Sequence, residues 1–585
     1  ALAQEPPTAP LTTKGLDPAW IAALTQRGEP EVFSGADLDL IGMPVAGIGA
    51  GQMYLGGDGH LWHWDIENQH IHTAGEHYAR PLQPSSPLEQ GFVVRVTRGA
   101  QTELRRLDKT GFPDISFRGE YPIATVEYSD PKLPVAVSLE AFSPFIPLNA
   151  EDSGLPATIM AYTLRNTSPE PIAVEIGGLL QNAACLYSGK VLPVVRETRA
   201  ERIGEALALV CSAHAPEGAT RREPRPDILF EDFEKPTYEG WEVTGTAFGT
   251  GPVEQTQIPA YQGQVGGVGE RVVNSHASAP GEGVGGKDGA TGTLTSPEFT
   301  IERDFIGLFV GGGAHEARTC VDLLVDGNVA WSTTGANDNR MAHRTMGVAD
   351  LAGKRARLRI VDAESGGWGN IGVDHIVFTD VPPSIVGELE EQPDFGEIAL
   401  VLLEASDDDR GIAAIGEGAE PNELFGIAPV DTASGTNLTG ALIRPLQLAP
   451  GAEAKVTFAI AWYMPNLRLN EPKDLGGRYY ATRFHSVAEV VGYLSAHYPR
   501  LSADTRLWRD TWYDSTLPVW LLNRTFANTS TLATSTCLWL SSGRLYGWEG
   551  VGCCAGTCTH VWHYAQAVGR LFPELERGIR ERVDY

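Results

Sequence analysis

Short segments in which apolar and polar side chains alternate one by one fill most of this chain, and they stop near residue 464. Stretches 91–97, 124–128, 133–142, 158–166 and 171–180 carry this period of two. They are rich in Val, Ile and Thr and are separated by Gly, Pro, Asn and Asp. Period two sends successive side chains to opposite faces of a strand, so one face can be buried while the other stays wet. No helix-period stretch of useful length interrupts residues 33–222, which predicts a large β-sandwich. The 66 glycines and 39 prolines suit the many turns that such a fold requires. At 585 residues the chain exceeds what one hydrophobic core organises, so about two to four domains are expected.

Composition shifts at Arg221-Arg-Glu-Pro-Arg-Pro-Asp227, and a glycine-heavy block then runs from 228 to about 380. Its own strand-like segments lie at 229–234, 292–301, 320–326, 356–362 and 366–378. An all-β unit of this length and pattern suits a jelly roll. Strand-like segments resume at 396–405 and 454–462, so the block reads as an insertion. After Met464-Pro-Asn466 apolar residues fall at helical spacing over 481–497 and 502–513. A third helix is expected over 517–532, with Pro518 in its first turn where a missing N–H is harmless. A fourth begins near Thr557, carries Val561, Tyr564, Ala565, Val568 and Leu571 on one face, and ends at Leu571-Phe-Pro573. The expected boundaries are a leader at 1–32, a β-sandwich at 33–226 continued at 384–468, an inserted module at 227–383 and a helical region at 469–585.

A formal charge of −29 argues against nucleic acid or an anionic membrane surface as partner and fits a neutral ligand such as a carbohydrate, or a cation. No apolar run approaches the roughly 18–20 residues that cross a bilayer as a helix. Ala1-Leu2-Ala3-Gln4 has the A-x-A form left by a signal peptidase, and the Pro-rich residues 5–10 read as an exposed leader. Export to the periplasm or the outside is therefore expected. Of seven cysteines, Cys185, Cys211 and Cys320 are scattered, while Cys537, Cys553, Cys554 and Cys558 lie together. Cys553-Cys554-x3-Cys558-x-His560 has zinc-ligand residue types, but adjacent ligands without a second C-x2-C unit make poor tetrahedral geometry. Small thiols packing a tight turn, or a local disulfide, stand ahead of a metal. No metal and no cofactor are expected. The glycines at 47, 49 and 51 precede no βαβ unit and are not a dinucleotide fingerprint. Asp407-Asp-Asp409 reads as an exposed turn rather than a calcium loop.

One carboxylate stands apart, in Tyr546-Gly-Trp548-Glu549-Gly-Val-Gly-Cys-Cys. Aromatic rings on one side exclude water and a helix start on the other favours an anion, the conditions under which a nucleophile or general base is held. Around it are further ordered motifs. Ala46-Gly-Ile-Gly-Ala-Gly51 precedes Gly56-Gly-Asp-Gly-His-Leu-Trp-His-Trp64-Asp65. Later come Gly477-Arg-Tyr-Tyr480, Trp508 through Leu517-Pro518, His560-Val-Trp-His-Tyr-Ala-Gln and Leu571-Phe-Pro-Glu-Leu-Glu576. Together they resemble glycoside hydrolase family 116, whose members include β-glucosidases and non-lysosomal glucosylceramidases. The resemblance covers about 33–222 and 384–585. The inserted block resembles the lectin-like β-sandwich modules attached to fructan-cleaving glycosidases, and reads either as a sugar-binding module or as a spacer.

The resemblance implies an N-terminal β-sandwich followed by an (α/α)6 barrel, and retaining hydrolysis with one carboxylate as nucleophile and a second as acid/base. Glu549 stands at the nucleophile position, where its Gly-rich flank lets a sugar approach the backbone. Eleven residues on, family β-glucosidases carry an aspartate that contacts sugar hydroxyls; here the place holds His560. A xylosidase-type specificity therefore stands beside the glucosidase-type one. Trp548, Trp62 and His63 are expected to contact substrate, with core packing as the alternative for the aromatic cluster. The family's acid/base aspartate lies well downstream, and only 36 residues follow Glu549. Glu574, Glu576, Glu581 and Asp584 among them sit in a charged segment without the family context. The acid/base is thus expected outside this chain, on the rest of a truncated barrel or on a second polypeptide that completes it, and the chain alone is expected to be inactive. The reading from another class is a carbohydrate-binding surface protein without turnover.

Overall fold

The computed structural model of the chain describes residues 16–69, 84–217, 224–382, 385, 387–416, 423–469, 476–548 and 568–581. The chain divides into two compact units, one holding the described residues 224–385 and the other the rest.

In the larger unit the period-two stretches are antiparallel strands: Gln90–Arg98, Ile123–Ser129, Val135–Phe142, Ala157–Asn166 and Ile172–Gln181. They divide between a ten-stranded and a five-stranded sheet. In the ten-stranded sheet Ala157–Asn166 lies between Val135–Phe142 and Glu453–Tyr463. The strand Glu397–Leu402 follows and pairs in turn with Ala206–His214. Strands beyond residue 387 therefore fill the middle of a sheet begun before residue 217. Alternation does what it implies: Val135, Val137, Leu139 and Ala141 are all buried. They join Tyr162 and Phe458 from the same sheet, and Phe92, Val94, Val174 and Ile176 from the five-stranded sheet, in one core. Phe92 meets Tyr162 at 5.0 Å and Phe458 at 5.1 Å between ring centroids, which fixes one sheet over the other.

The smaller unit has two six-stranded antiparallel sheets of its own. Phe305–Gly312 runs between Asp338–Gly347 and Ile371–Thr379, and Arg355–Asp362 runs between Gly292–Thr295 and Thr319–Val325. Val310, Leu323, Leu358, Ile360 and Val373 form a separate buried core. It is closed by Phe230, stacked on Phe378 at 4.9 Å and meeting Phe299 edge-on at the same distance.

Beyond residue 476 helices appear. The segments 481–497 and 502–513 are one helix, Val487–Tyr513, continuous through Pro499. Ser486 caps it by accepting from Glu489 N at 3.2 Å, and the Glu489 carboxylate accepts from His485 N at 2.9 Å. Val487, Val490, Val491, Leu494, Tyr498 and Leu501 form the buried stripe. Polar ties continue beyond the proline: Arg506 holds Glu140 through two bonds of 2.6 and 2.8 Å, and Thr505 Oγ1 accepts from Phe145 N. Tertiary contacts on both sides of Pro499 thus offset its missing N–H. The helix expected over 517–532 is shorter. Pro518 is its cap, Val519–Thr525 is helical, and Ala527–Ala533 tightens to a 3-10 turn. The run Thr525-Phe-Ala-Asn-Thr-Ser-Thr531 explains this, because its side chains bond back to the backbone: Thr525 Oγ1 to Leu521 O, Asn528 Nδ2 to Arg524 O, Thr529 Oγ1 to Phe526 O. Pro573, expected to stop a helix, also opens the next one, Pro573–Ile579. No described helix is long and apolar enough to cross a membrane.

Phe458 is fully buried at the contact of the two sheets, so Phe458→Ala should cost about 3–5 kcal/mol of stability through the lost transfer term and the cavity left behind. A urea titration of the variant against the wild type reads this directly; a loss under ~1 kcal/mol would mean that the aromatic contact does not hold the sheets together.

Candidate functional site

The sequence-predicted aromatic residues lie on a small three-stranded sheet, Gly42–Pro44, Gln52–Gly56 and Leu61–Asp65. Gln52 opposes Asp65 and Tyr54 opposes Trp62, so one residue, Met53, faces two, His63 and Trp64. This is a β-bulge, and it re-aims the side chains around it. His63 takes up the irregularity at φ 54°. Trp64 goes into the core and donates to Leu61 O at 3.1 Å. Trp62 and His63 stay half-buried, Trp62 stacked on His60 at 4.2 Å and His63 edge-on to Tyr54 at 6.0 Å. Burial holds the His63 imidazole below its ordinary pKa and pushes the Tyr54 phenol up to about 12.

The glycine motif at 47–51 ties this sheet to the segment that precedes Glu549. Gly49 N donates to Leu532 O at 2.9 Å, and Gly49 O accepts from Trp539 N at 3.2 Å. A Cβ on Gly49 would stand 2.6 Å from that of Trp539, and its φ is 63°, so only glycine fits without a shift. A second tie runs through side chains. Ser535 N donates to Gln52 Oε1 at 3.1 Å, and Ser535 Oγ donates to Asp65 Oδ2 at 2.8 Å, while Gln52 Nε2 holds His63 O. From Ser535 the chain enters a two-stranded sheet, Cys537–Trp539 with Leu545–Gly547. Trp539 lies flat on Tyr479 at 3.6 Å and 7°. Trp548 is half-buried beside Tyr546, against Leu467, Leu538 and Leu540. Trp62, His63 and Trp548 are therefore on elements joined by direct hydrogen bonds. Glu549 and His560 lie outside the described residues.

Beneath the bulge is a buried polar group that the sequence did not single out. Arg478, 1% exposed, donates from Nε to Asn68 Oδ1 at 2.8 Å and from Nη1 to Gly49 O at 3.1 Å. Asn68 Nδ2 in turn serves Pro393 O and Met464 O. Desolvation lowers the guanidinium pKa, and the Asp65 charge opposes that. Glu67 is fully buried, its Oε2 accepting from Ile66 N at 3.2 Å and its Oε1 without a hydrogen-bond partner among the described residues. Desolvation, with smaller contributions from Asp65 and Asp394, pushes its pKa up to about 8. Asp394 Oδ2 accepts from Tyr187 N and Ser188 N at 2.7 and 2.8 Å, while its Oδ1 has no hydrogen-bond partner among the described residues.

Other sequence candidates resolve structurally. Cys185, Cys211, Cys320 and Cys537 are buried free thiols, each pushed up to about 12 by burial, hence poor nucleophiles and ligands. Cys553, Cys554 and Cys558 lie outside the described residues. Among the described residues no three His, Cys, Asp or Glu side chains group to hold a metal. Asp409 is taken by Arg444 in a two-bond pair of 2.8 and 2.6 Å, and Asp407 is exposed. A cleft of about 390 Å³ between Phe33, Met43, Phe117, Tyr121, Tyr513 and Arg524 contains none of the expected site residues.

Residues 42–207 and 427–501 match the family model described as beta-glucosidase 2, glycosyl-hydrolase family 116 N-term. They fall in the larger unit, on both sides of the block 224–385. The match to this N-terminal domain model comes in two pieces, separated in sequence by the block 224–385. The chain is 32% identical over 177 residues to a protein of Aspergillus rugulosus named "Putative glycosyl hydrolase ecdE", a match over 29% of this chain and 24% of that protein. The chain thus spans about a quarter of the length of this relative. Among solved structures, it is similar to the K2 cleaved adhesin domain of Lys-gingipain, at 15% identity over 26% of this chain and 97% of that one, TM-score 0.19. It is also similar to TmCBM61 in complex with beta-1,4-galactotriose, at 15% identity over 25% and 92%, TM-score 0.18. A family 35 carbohydrate binding module from Clostridium thermocellum matches at 14% identity over 26% and 97%, TM-score 0.16. At these scores the likenesses assign no ligand to the chain.

The Glu67 geometry sets a pH dependence. A carboxyl with an ordinary pKa of 4.5 and a folded value of about 8 keeps its proton in the folded state where the unfolded chain has released it. Stability contributed through this group therefore falls as pH rises across that window, and the deficit is complete above it. Glu67→Gln should flatten that part of the stability-pH curve and be the more stable protein at its alkaline end. Urea midpoints across the window measure it, and identical slopes for the two proteins would mean that Glu67 is ionised in the fold.

Proposed function

We propose that the protein is a retaining β-glycosidase acting on β-glucoside-like bonds, with Glu549 as nucleophile. The observation that carries this reading is the family match over 42–207 and 427–501, in a chain that then runs into Tyr546-Gly-Trp548-Glu549. In the first step a Glu549 carboxylate oxygen bonds to the anomeric carbon and the glycosidic C–O bond breaks, its oxygen taking a proton from the acid/base. Water then attacks the same carbon, the Glu549 ester bond breaks and the acid/base recovers its proton. Trp548 and Trp62 supply ring faces for the sugar, and His63 and His560 supply hydrogen bonds to its hydroxyls. The helices from Val487–Tyr513 onward are read as the start of an (α/α)6 barrel. A second carboxylate serves as the acid/base. A neutral sugar suits a protein of charge −29 better than an anionic polymer does.

Glu549→Gln should lower turnover of an aryl β-glucoside by roughly 10³-fold or more. Azide added to a Glu549→Ala variant should restore release of the phenol from an activated aryl glycoside and give a glycosyl azide. Wild-type turnover by either variant would sink the assignment. Aryl β-xylosides belong in the same assay, because His560 stands where family β-glucosidases have an aspartate.

A further inference from the structure

The smaller unit holds a chain of buried polar side chains that ends on an exposed ring. The single-turn helix Ser275–Ser278 carries His276, which is 2% exposed. Its Nδ1 lies 2.5 Å from Asp288 Oδ1, and its Nε2 lies 2.8 Å from the Tyr261 hydroxyl. The carboxylate fixes the tautomer: Nδ1–H donates to Asp288, so Nε2 accepts the Tyr261 O–H. Lys287 Nζ donates to the carbonyls of His276, Ala277 and Ala279, which secures the same turn and occupies that cation. Tyr261 itself is 58% exposed. Burying a His–Asp pair carries a desolvation cost that a surface loop does not need to meet for its own stability. The result of this arrangement is a fixed ring orientation with one face toward solvent. Having donated its proton to His276, the phenol oxygen still has lone pairs to accept from a ligand hydroxyl.

Two neighbouring features converge on the same place. Gln262 Nε2 donates to Asn339 Oδ1, and Asn274 Nδ2 donates to Gln262 Oε1, both at 3.3 Å, which makes a row of amides next to the ring. On the other side of Asp288 a Cβ added to Gly369 would stand 2.6 Å from the Asp288 carbonyl, so the turn 366–369 lies directly against it. That turn presents Trp368, 39% exposed, at φ 61°. A bulky residue in this conformation is strained. Asp288 therefore fixes Tyr261 through His276, and its backbone packs against the turn that carries Trp368.

We propose that this end of the smaller unit is a binding site for a neutral carbohydrate. Tyr261 and Trp368 are platforms for the C–H faces of sugar rings, Asn339 and the Tyr261 oxygen bond to hydroxyls, and the buried Gln262 amide positions Asn339. The occupant follows from the chemistry present. Flat aromatic faces beside side-chain amides match a ligand that alternates apolar faces with hydroxyls. Lys287 is held by three carbonyls and Arg318 by Glu364, which leaves neither cation of this group for an anionic polymer. Rigidity fixed before binding lowers the ordering cost that a mobile loop would impose.

The test is native gel electrophoresis of the chain through gels containing laminarin, xyloglucan, β-1,4-galactan, inulin or levan. At least one polysaccharide should retard the wild type. Tyr261→Ala should weaken that binding by roughly tenfold or more. Tyr261→Trp, which keeps a ring, should retain most of it, and His276→Ala, which frees the ring, should fall between. Thermal melts establish that each variant is folded. The proposal is overturned if no polysaccharide retards the wild type, or if folded Tyr261→Ala and Trp368→Ala both migrate as it does.

Discussion

The backbone at Gly49 is where the β-sandwich and the approach to Glu549 are held together. Its carbonyl accepts both from Trp539 N and from the buried Arg478 guanidinium, and its N–H donates to Leu532 O. Three groups distant in sequence meet at one peptide, and they can meet only because residue 49 has no Cβ to hold Trp539 away. The neighbouring Ala50 carbonyl accepts from Trp462 Nε1 on the central strand Glu453–Tyr463. The glycine motif is therefore not a phosphate loop. It is a joint between a sheet and the segment carrying the proposed nucleophile.

Buried carboxyls in this protein are handled in distinct ways, and the differences bear on function. Asp409 has Arg444 in a two-bond pair, and Asp394 has two backbone N–H groups. Both Asp409 oxygens are served, whereas Asp394 is served on Oδ2 alone. Glu67 is fully buried, and desolvation, reinforced by Asp65 and Asp394, outweighs its backbone hydrogen bonds and pushes its pKa up to about 8. A neutral carboxyl held under the bulge that displays Trp62 and His63 is the kind of perturbed group that gathers near functional sites. The nearby Arg478 supports this region without pairing to Glu67, spending its donors on Asn68 and Gly49.

How much of this was readable in the sequence depended on whether the determining contact was local. The strands at 90–98, 123–129, 135–142, 157–166 and 172–181 were readable because a period of two records the burial of one face. The helix Val487–Tyr513 was readable in its parts, but its continuity through Pro499 depends on Glu140 and Phe145, more than 300 residues away in sequence. The segment 517–532 misled, because apolar spacing favoured a helix while Thr, Ser and Asn side chains bonded to the backbone. In the site, the Trp62–Asp65 run and Trp548 were visible as aromatic clusters. Glu67 and Arg478 were not, since nothing in a single sequence tells a buried charged residue from a solvated one. Glu549 and His560 rest on the family resemblance and lie outside the described residues.

The smaller unit also explains how a block of this size can interrupt a sheet without disturbing it. In the larger unit Leu209 pairs directly with Leu400, so the two ends of the intervening chain must return to neighbouring positions. A flexible block would meet that demand only at the entropic cost of closing a very long loop. Residues 224–385 meet it by their own folding. The first strand, Ile228–Glu231, pairs with the last, Ile371–Thr379, with Ile228 opposite Phe378. Just outside them Arg225 holds Asp380 through two bonds of 2.7 Å, and that guanidinium keeps the aspartate well below the usual carboxylate range. An exposed ion pair of this kind contributes little stability by itself. Its effect is geometric, since it fastens entry and exit of the block side by side, and neighbouring termini are what make a domain insertable between two paired strands.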